Sequence, residues 1–583
     1  MFQKNDKHLQ GTLLSTLDEL PSGMRERLEQ SWAGTFRRAV FQQLDETPFA
    51  VLYSAEYSRP NVPVNVLLGL EMLKAGFGWT DEELYDHFLY DLQVRYALGY
   101  EQLSEGYFSI RTLYEFRRRL GTHMQQSGEN LVEVAFEQIT DEQIQALKLN
   151  TSRLRMDSTQ IASNIRQYSR MQLLVEVLQR VHRILSETDQ THYQAPLAPY
   201  IKGKSNHFVY NLKPGDYDLH LQSIGELMAQ LLEELAPNYG QTSIYAMLER
   251  VFADHFVWDE TEQRPKQPKE LAASSLQAPD DLDATFRRKQ GECHKGFVTN
   301  IAETCHPDND VQLIVNVHTE PNVADDARML QEELPDLIDR TQVEELYTDG
   351  GYNSPGVDAL MDEHDISHIQ TAIRGDKPDL DGPRLVDFHF ETNDEGVPTA
   401  ATCPEGQHFV IEPGQVEGRF IGRPNGDSCL ACPLLARCPV RPRSGNVIPA
   451  LYVARRDVRL VFKRQAIAAM PAQGNPRAAV EATVRSLKQP LDHGRLRVRG
   501  LFRVASQMFA SAMMVNVRRI QKYEALRPLL SIFLLWAWLF TLWNRLLRSA
   551  TSIFRPFVSF AVPDRPLSPL NWNATRFYLS HAL

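Results

Sequence analysis

The order of segments between Leu154 and Asp349 constrains the fold more than any other feature of this 583-residue sequence. "LRMDSTQIASN" begins at Leu154 and reads as a strand ending at Asp157. Helical spacing follows over about 167–185 and 216–235. Residues 258–284, "WDETEQRPKQPKELAASSLQAPDDLDA", are polar and rich in breakers and read as a linker. Two more strands, "GFVTNIAETC" and "VQLIVNVHT", come next, and a helix over about 324–339 leads to "ELYTDGGYNSP". There Leu346 and Tyr347 suit a buried strand that ends on Asp349. Gly350 and Gly351 suit a tight exit in which the backbone passes close to something else. Asp-Gly is also an ordinary turn pair, so that junction alone says nothing of chemistry. Two acids at the ends of non-sequential strands can, however, meet at one sheet edge, where α/β proteins place their sites.

This length exceeds one ordinary core and predicts about two to four domains. A hydrophobic share of 43% with 23% charged residues is that of a globular chain. The N-terminal "MFQKNDKHLQ" has no signal-peptide apolar core and reads as cytosolic. A net charge of -12 argues against a uniformly nucleic-acid-binding surface. Yet Arg441 to Leu526 holds 17 Lys and Arg against 4 Asp and Glu. Such a basic block can track a polyanion locally, or form a solvated helical face. Residues 1 to about 125 read as helices, with Thr80 and Glu83 forming a capping box. "SIRTLYEFRRRL", Ser109–Leu120, ends on Arg117, Arg118 and Arg119. It reads either as a recognition helix in a DNA groove or as an amphipathic helix whose basic last turn the helix dipole favours.

A third acid comes from "GNPRAAVEATVRSLKQPL", where Asn475 is a good N-cap, Pro476 a good first residue, and Pro490 a stop. Helical spacing puts Arg477, Glu481, Arg485 and Lys488 on one stripe. A surface helix laced with i,i+4 ion pairs is the structural alternative. In this order and context Asp157, Asp349 and Glu481 resemble the DDE triad of bacterial insertion-sequence transposases. The helix is similar to that superfamily's Tyr-x2-Arg-x3-Glu-x6-Lys signature at Arg477, Glu481 and Lys488. It departs from the signature at Gly474, where tyrosine would stand. "MDSTQIASNIR", "PDDLDATFRRKQGECHKGFV" and "YTDGGYNSP" resemble such transposases closely, and the likeness spans about Phe41 to Tyr523.

The resemblance implies a multidomain α+β/α/β chain. A helical DNA-binding domain would occupy 1–130, and an RNase H-like mixed-sheet catalytic core 145–525. That core would be interrupted by a helical insertion (167–255), the linker (258–284) and a Cys-containing insertion (376–450), with an apolar helix and tail over 526–583. It implies Mg²⁺ or Mn²⁺ held by Asp157, Asp349 and Glu481, as two ions about 3.5–4 Å apart, with Asp157 bridging both. Arg477, Arg485 and Lys488 would hold DNA phosphates. The implied partners are double-stranded terminal inverted repeats and target DNA, bound by a homo-oligomer. The implied activity is endonucleolytic cleavage at the element's ends, then attack of the freed 3′-OH on target DNA. The alternative is a non-catalytic DNA-binding protein or repressor derived from such an enzyme, against which three intact acids argue.

Between Asp349 and Glu481 lie Cys403, Cys429, Cys432 and Cys438, four of the six cysteines. A C-x2-C pair with two outlying thiols in a reducing cytosol points to structural Zn²⁺, with buried unliganded thiols as the alternative. Cys293 and Cys305 lack such spacing and read as core residues, and His294 and His306 beside them read as structural or exposed. Near the end, "PLLSIFLLWAWLFTLW", Pro528–Trp543, has only Ser531 and Thr541 polar. It falls short of the roughly 20 apolar residues of a membrane span, which favours a buried helix or an oligomer seam over membrane association.

Overall fold

The computed structural model describes the chain except residues 10–14, 55–58, 103, 263, 290, 374–381, 394, 442–448, 470–475, 492–493 and 555–583. Of Pro214 and residues 528–554 it describes the backbone alone. Gly474 and Asn475 therefore lie outside the described residues, as do the side chains of Pro528–Trp543. Met1–Gln521 form one compact unit and Lys522–Leu583 a second. Among the described residues no helix is long and apolar enough to cross a membrane.

Among the described residues only helices precede the first strand, as the spacing predicts. The expected capping box forms: Glu83 N–H donates to Thr80 Oγ1 (3.1 Å) and Thr80 N–H to Glu83 Oε2 (2.7 Å). Such caps contribute about 1 kcal/mol. The helix expected to end on Arg117–Arg119 instead spans Arg111–Ser127 and stops at Gly128, whose φ of 77° is left-handed. The three arginines are thus mid-helix, where the dipole does not act on them.

β1 (Arg153–Ile161) carries Asp157 but runs four residues beyond it instead of ending there. Pairing with a later strand continues to Ile161, and this is what the local pattern missed. Six helices from Arg170 to His255 make up the expected insertion. The stretch read as a linker holds a hairpin, β2 (Val257–Asp259) with β3 (Arg264–Lys266), and then an anchored segment. Leu276 and Ala278 are buried there, and the buried Asp281 carboxylate accepts from Ser163 Oγ (3.2 Å) and Gly500 N–H (3.0 Å). Polar composition hid this because the buried group is itself an acid satisfied by backbone donors.

β4 (Thr285–Lys289), β5 (Glu292–Thr304), β6 (Ile314–Pro321), β7 (Glu345–Thr348) and β8 (Ser367–Gln370) complete the main sheet. Its order is β6-β5-β1-β7-β8, with β4 paired to the first part of β5. β5 is antiparallel to β1, with Asp157 opposite Ile301, whereas β7 is parallel to β1, with Arg155 opposite Tyr347. Alternation along β1 sends Leu154 and Met156 to one face, against Leu330, Leu334 and Leu337 of the helix Asp326–Thr341. Each such burial contributes about 1.5–3 kcal/mol. Arg155 and Asp157 face the other way. There Ile161, Phe297 and Ile301 join Val480 and Leu487 of the helix Val480–Lys488, and Met508 and Met513 of the helix Leu501–Phe554.

One acid lies beneath the sheet. Glu333 of the helix Asp326–Thr341 is buried and accepts from Asn300 Nδ2 (3.0 Å) and Asn316 Nδ2 (3.1 Å). Burial pushes its carboxyl up to about 7, against the opposing pull of His318. The folded chain then holds a proton that the unfolded chain has released above its ordinary value of 4.5. Stability should therefore fall as pH rises from about 4.5 to about 7 and level off above. Glu333→Gln should flatten that slope by on the order of 2 kcal/mol between pH 5 and 7.5, read from denaturation midpoints. Glu133, also pushed up to about 7 by burial, contributes with the same sign and remains in the variant.

The second sheet belongs to the Cys-containing insertion. β9 (His389–Thr392), β10 (Pro398–Thr402), β11 (His408–Pro413), β12 (Arg419–Gly422) and β13 (Leu451–Ala454) run antiparallel in the order β13-β12-β11-β10-β9. The helix Arg455–Ala469 covers it, burying Val458 and Val461 on Phe388 and Val453. The same helix reaches the main sheet's connections, since Lys463 Nζ bonds Asp358 Oδ1 (2.5 Å) and Asn353 Oδ1 (3.0 Å).

Candidate active site

Asp157 stands on β1 and Asp349 one residue past the end of the neighbouring parallel β7, each two residues past the last paired position, Arg155 opposite Tyr347. The register thus brings opposite each other two acids that are far apart in sequence. Asp349 caps the turn Gly350–Tyr352, its Oδ1 accepting from Gly351 N–H (2.7 Å). A Cβ on Gly350 would lie 2.4 Å from Ala372 O, so the close approach anticipated at this glycine pair exists, made by the chain leaving β8. Asp157 Oδ1 accepts from Ser158 N–H (2.9 Å). Burial raises the Asp157 carboxyl above the usual carboxylate range, and the Asp349 charge adds to this while Arg477 opposes it.

Arg477 meets both acids. Its Nη2 lies 3.2 Å from Asp157 Oδ2 and 3.8 Å from Asp349 Oδ2. The expected single α-helical stripe does not form. Pro476–Ala479 is a 3₁₀ turn and the α-helix begins at Val480. A 3₁₀ turn has three residues per turn, so it rotates Arg477 away from the stripe and inward. Glu481 and Arg485 are exposed, and Lys488 is half-buried. Glu481 has no hydrogen-bond or ion-pair partner among the described residues. The carboxyl groups of Asp157, Asp349 and Glu481 do not all three lie within 4.8 Å of one another. Two of the three predicted acids are therefore together, and the third stands one turn beyond the arginine that touches them.

A buried network, not foreseen in the sequence, holds this helix. Glu303 on β5 is fully buried opposite Arg155, whose Nε donates to Glu303 Oε1 (2.6 Å). Thr483 Oγ1 donates to Glu303 Oε2 (2.7 Å), and so does Arg519 Nη1 (2.7 Å). Arg155 Nη1 also donates to Pro476 O (2.8 Å), one residue before Arg477. Burial alone would raise the Glu303 carboxyl, but Arg519, Arg155 and Thr483 outweigh it and hold it below the usual range. One signal was present: a glutamate inside the otherwise buried strand "NIAETC", where charges occur only when paired.

The other predicted cations divide. Lys488 has no carboxylate partner among the described residues, and burial with the neighbouring Lys289 lowers its ammonium. Arg117 is paired with Glu71 (2.8 Å) and Asp81 (2.7 Å). Arg118 bonds Glu115 (2.6 Å), and Arg119 bonds Glu115 (3.2 Å) and lies over the Tyr53 ring. The structure thus gives each arginine of that run an intramolecular partner. Beyond the end of β1, a cavity of about 950 Å³ is lined by Arg166, Arg183, Lys204, Arg495 and Arg499, a basic cleft that sequence reading did not assemble. Cys305 is buried and its thiol is pushed up to about 12, as suits the core reading, whereas Cys293, near the start of β5, is exposed and is not a core residue. Cys403, Cys429, Cys432 and Cys438 line one cavity of the insertion.

Fold and site together define a mixed α/β protein with a paired-carboxylate centre. Residues 402–521 match a family model described as a transposase DDE domain. Over that segment the chain is similar to the DDE domain of transposases, and its resemblance to DDE transposases stands on that match. The matched segment includes Glu481 and Arg477 and lies downstream of both aspartates. No curated protein and no solved structure matches the chain.

Proposed function

We propose that this chain is a bacterial insertion-sequence transposase that cuts the ends of its element and joins them to target DNA. The observation that carries this reading is the pair Asp157 on β1 and Asp349 at the end of the adjacent parallel β7, with Arg477 against both. A sheet order that reads 3-2-1-4-5, counting β1, β5, β6, β7 and β8 in turn, supports an RNase H-like core. The donor set fits hard divalent cations: two half-buried carboxylates already draw in a positive group, and Glu481, one turn beyond Arg477, has no partner among the described residues. Mg²⁺ or Mn²⁺ held by Asp157, Asp349 and Glu481 supplies Lewis-acid charge at the scissile phosphate.

The chain's own residues do the rest. Asp157 and Asp349 would hold the cation opposite the reacting phosphate and so fix its place relative to the sheet. Arg477, exchanged from the acids onto a phosphate, orients the strand, and Lys488 and Arg485 hold it further along the helix. The basic cleft takes double-stranded DNA flanking the cut. A homo-oligomer in the cytoplasm would bring two ends together. Purified protein incubated with plasmid carrying the terminal inverted repeats should release 3′-OH ends with Mg²⁺ and none with EDTA. Cleavage that persists in EDTA overturns the reading.

The cations carry a separate expectation. Arg477→Ala and Lys488→Ala should each weaken binding to end DNA and lower the slope of log Kd against log salt by about one unit. A surface-helix role would leave both slopes unchanged. Titrations at four salt concentrations distinguish the two.

A further inference from the structure

We propose that Cys403, Cys429, Cys432 and Cys438 form a structural Zn²⁺ site that staples the β9–β13 insertion. This goes beyond the transposase reading and does not depend on it. The four residues come from separate stretches of chain. Cys403 follows β10, Cys429 and Cys432 lie in and just after the helix Gly426–Leu430, and Cys438 follows the turn Leu435–Arg437. They nevertheless line a single cavity of about 160 Å³, together with Gln407 and Phe409. All four thiols are free.

The local backbone is shaped around sulfur. Gln407 N–H donates to Cys403 Sγ (3.3 Å), and Gly406 N–H to Cys403 O (2.9 Å). Gly406 has a φ of 83°, the left-handed conformation that lets the amide of Gln407 turn back to the sulfur. On the facing side Cys432 N–H donates to Cys429 O (3.1 Å), closing the C-x2-C segment into a tight turn. An amide aimed at sulfur suits a thiolate better than a thiol, because the charged acceptor makes the stronger bond. No three of the sulfurs lie within 4.8 Å of one another. Zinc binding would therefore draw them inward to the roughly 3.8 Å spacing that four Zn–S bonds of about 2.3 Å impose.

The fold gives a reason for such a staple. The insertion's sheet has strands of four to six residues and its own small core, to which Cys429 contributes as a buried member. Cores of that size need an added cross-link. Zinc at this cavity would join the loop between β12 and β13 to the turn of the β10–β11 hairpin, which among the described residues are tied only through the pairing of β11 with β12. Soft thiolate donors favour zinc over the hard cations that the carboxylate centre takes, so the two sites select different metals.

The test is metal analysis of the full-length chain purified without chelator and without added zinc. The expected result is about one zinc per chain, lost in Cys429→Ser and Cys432→Ser and kept in Cys293→Ser. Should the serine variants precipitate, the wild type exchanged with Co²⁺ decides. Intense sulfur-to-cobalt absorption with tetrahedral d–d bands supports the site, and their absence overturns it. Freshly purified wild type without zinc overturns it too, as does Cys432→Ser that retains the full metal content. The proposed cleavage activity enters none of these readouts, so the zinc site and the transposase reading can fail separately.

Discussion

Asp157→Asn and Asp349→Asn should each lower Mg²⁺-dependent cleavage of end DNA by about a thousandfold or more, with DNA binding nearly intact. Asparagine has the shape of aspartate and lacks its charge. At position 349 its Oδ1 can still accept from Gly351 N–H, so the turn after β7 survives. At position 157 the substitution also removes a carboxylate whose burial is unfavourable, so no loss of fold stability is expected. What disappears is the negative charge that holds a divalent cation opposite the scissile phosphate. Glu481→Gln should lose cleavage to a similar degree, although Glu481 stands apart from the aspartates in this structure. Single-turnover cleavage and binding of labelled end DNA measure both quantities. An Asp157→Asn protein that cuts at the wild-type rate ends the paired-carboxylate reading. A fully active Glu481→Gln protein moves the third acid elsewhere and leaves the first two in place.

The second large effect is on stability. Glu303→Ala should destabilise the Met1–Gln521 unit by about 3–5 kcal/mol, because it leaves two guanidiniums facing each other without their shared carboxylate. Glu303 is fully buried, and Arg155 and Arg519 both bond it. Glu303→Gln keeps the shape and one acceptor, and should lose less. Denaturant unfolding of the full chain reads the difference, with the Asp157→Asn protein as a control that leaves the network intact. A loss below about 1 kcal/mol in the alanine variant would contradict the network's role, since exposed ion pairs cost no more than that. A functional trace should accompany it. Arg155 also bonds Pro476 O, so loosening Glu303 frees the turn that carries Arg477. Cleavage should then fall more than DNA binding does.

Several elements were legible in the sequence because neighbours along the chain determine them. The apolar runs around Leu154, Val315 and Leu346 have strand composition, and each forms a strand. The Asp349–Gly351 turn follows from an aspartate that can bond its own backbone and from a glycine where Ala372 O passes at 2.4 Å from any Cβ. The Thr80–Glu83 box needs only residues three apart. The C-x2-C spacing of Cys429 and Cys432 was likewise visible, while its convergence with Cys403 and Cys438 needed the insertion's sheet.

The sequence by itself determined the succession of strand-forming and helical segments, the acid-bearing turn after β7 and the helical identity of Val480–Lys488, since these rest on periods of two and 3.6 residues and on local capping. Only the tertiary structure decided what those elements do to one another. Arg155 and Glu303 are 148 positions apart, and Arg155 and Pro476 are 321 apart. Asp157 meets Asp349 only because β1 and β7 pair in one register, and a slip of one residue would send one of the two carboxyls to the opposite face. Arg477 reaches them only because its turn is 3₁₀, and Arg117 bonds Glu71 and Asp81 because other helices bring those acids to it. Contacts of this kind depend on how whole elements pack, and no local period encodes that packing.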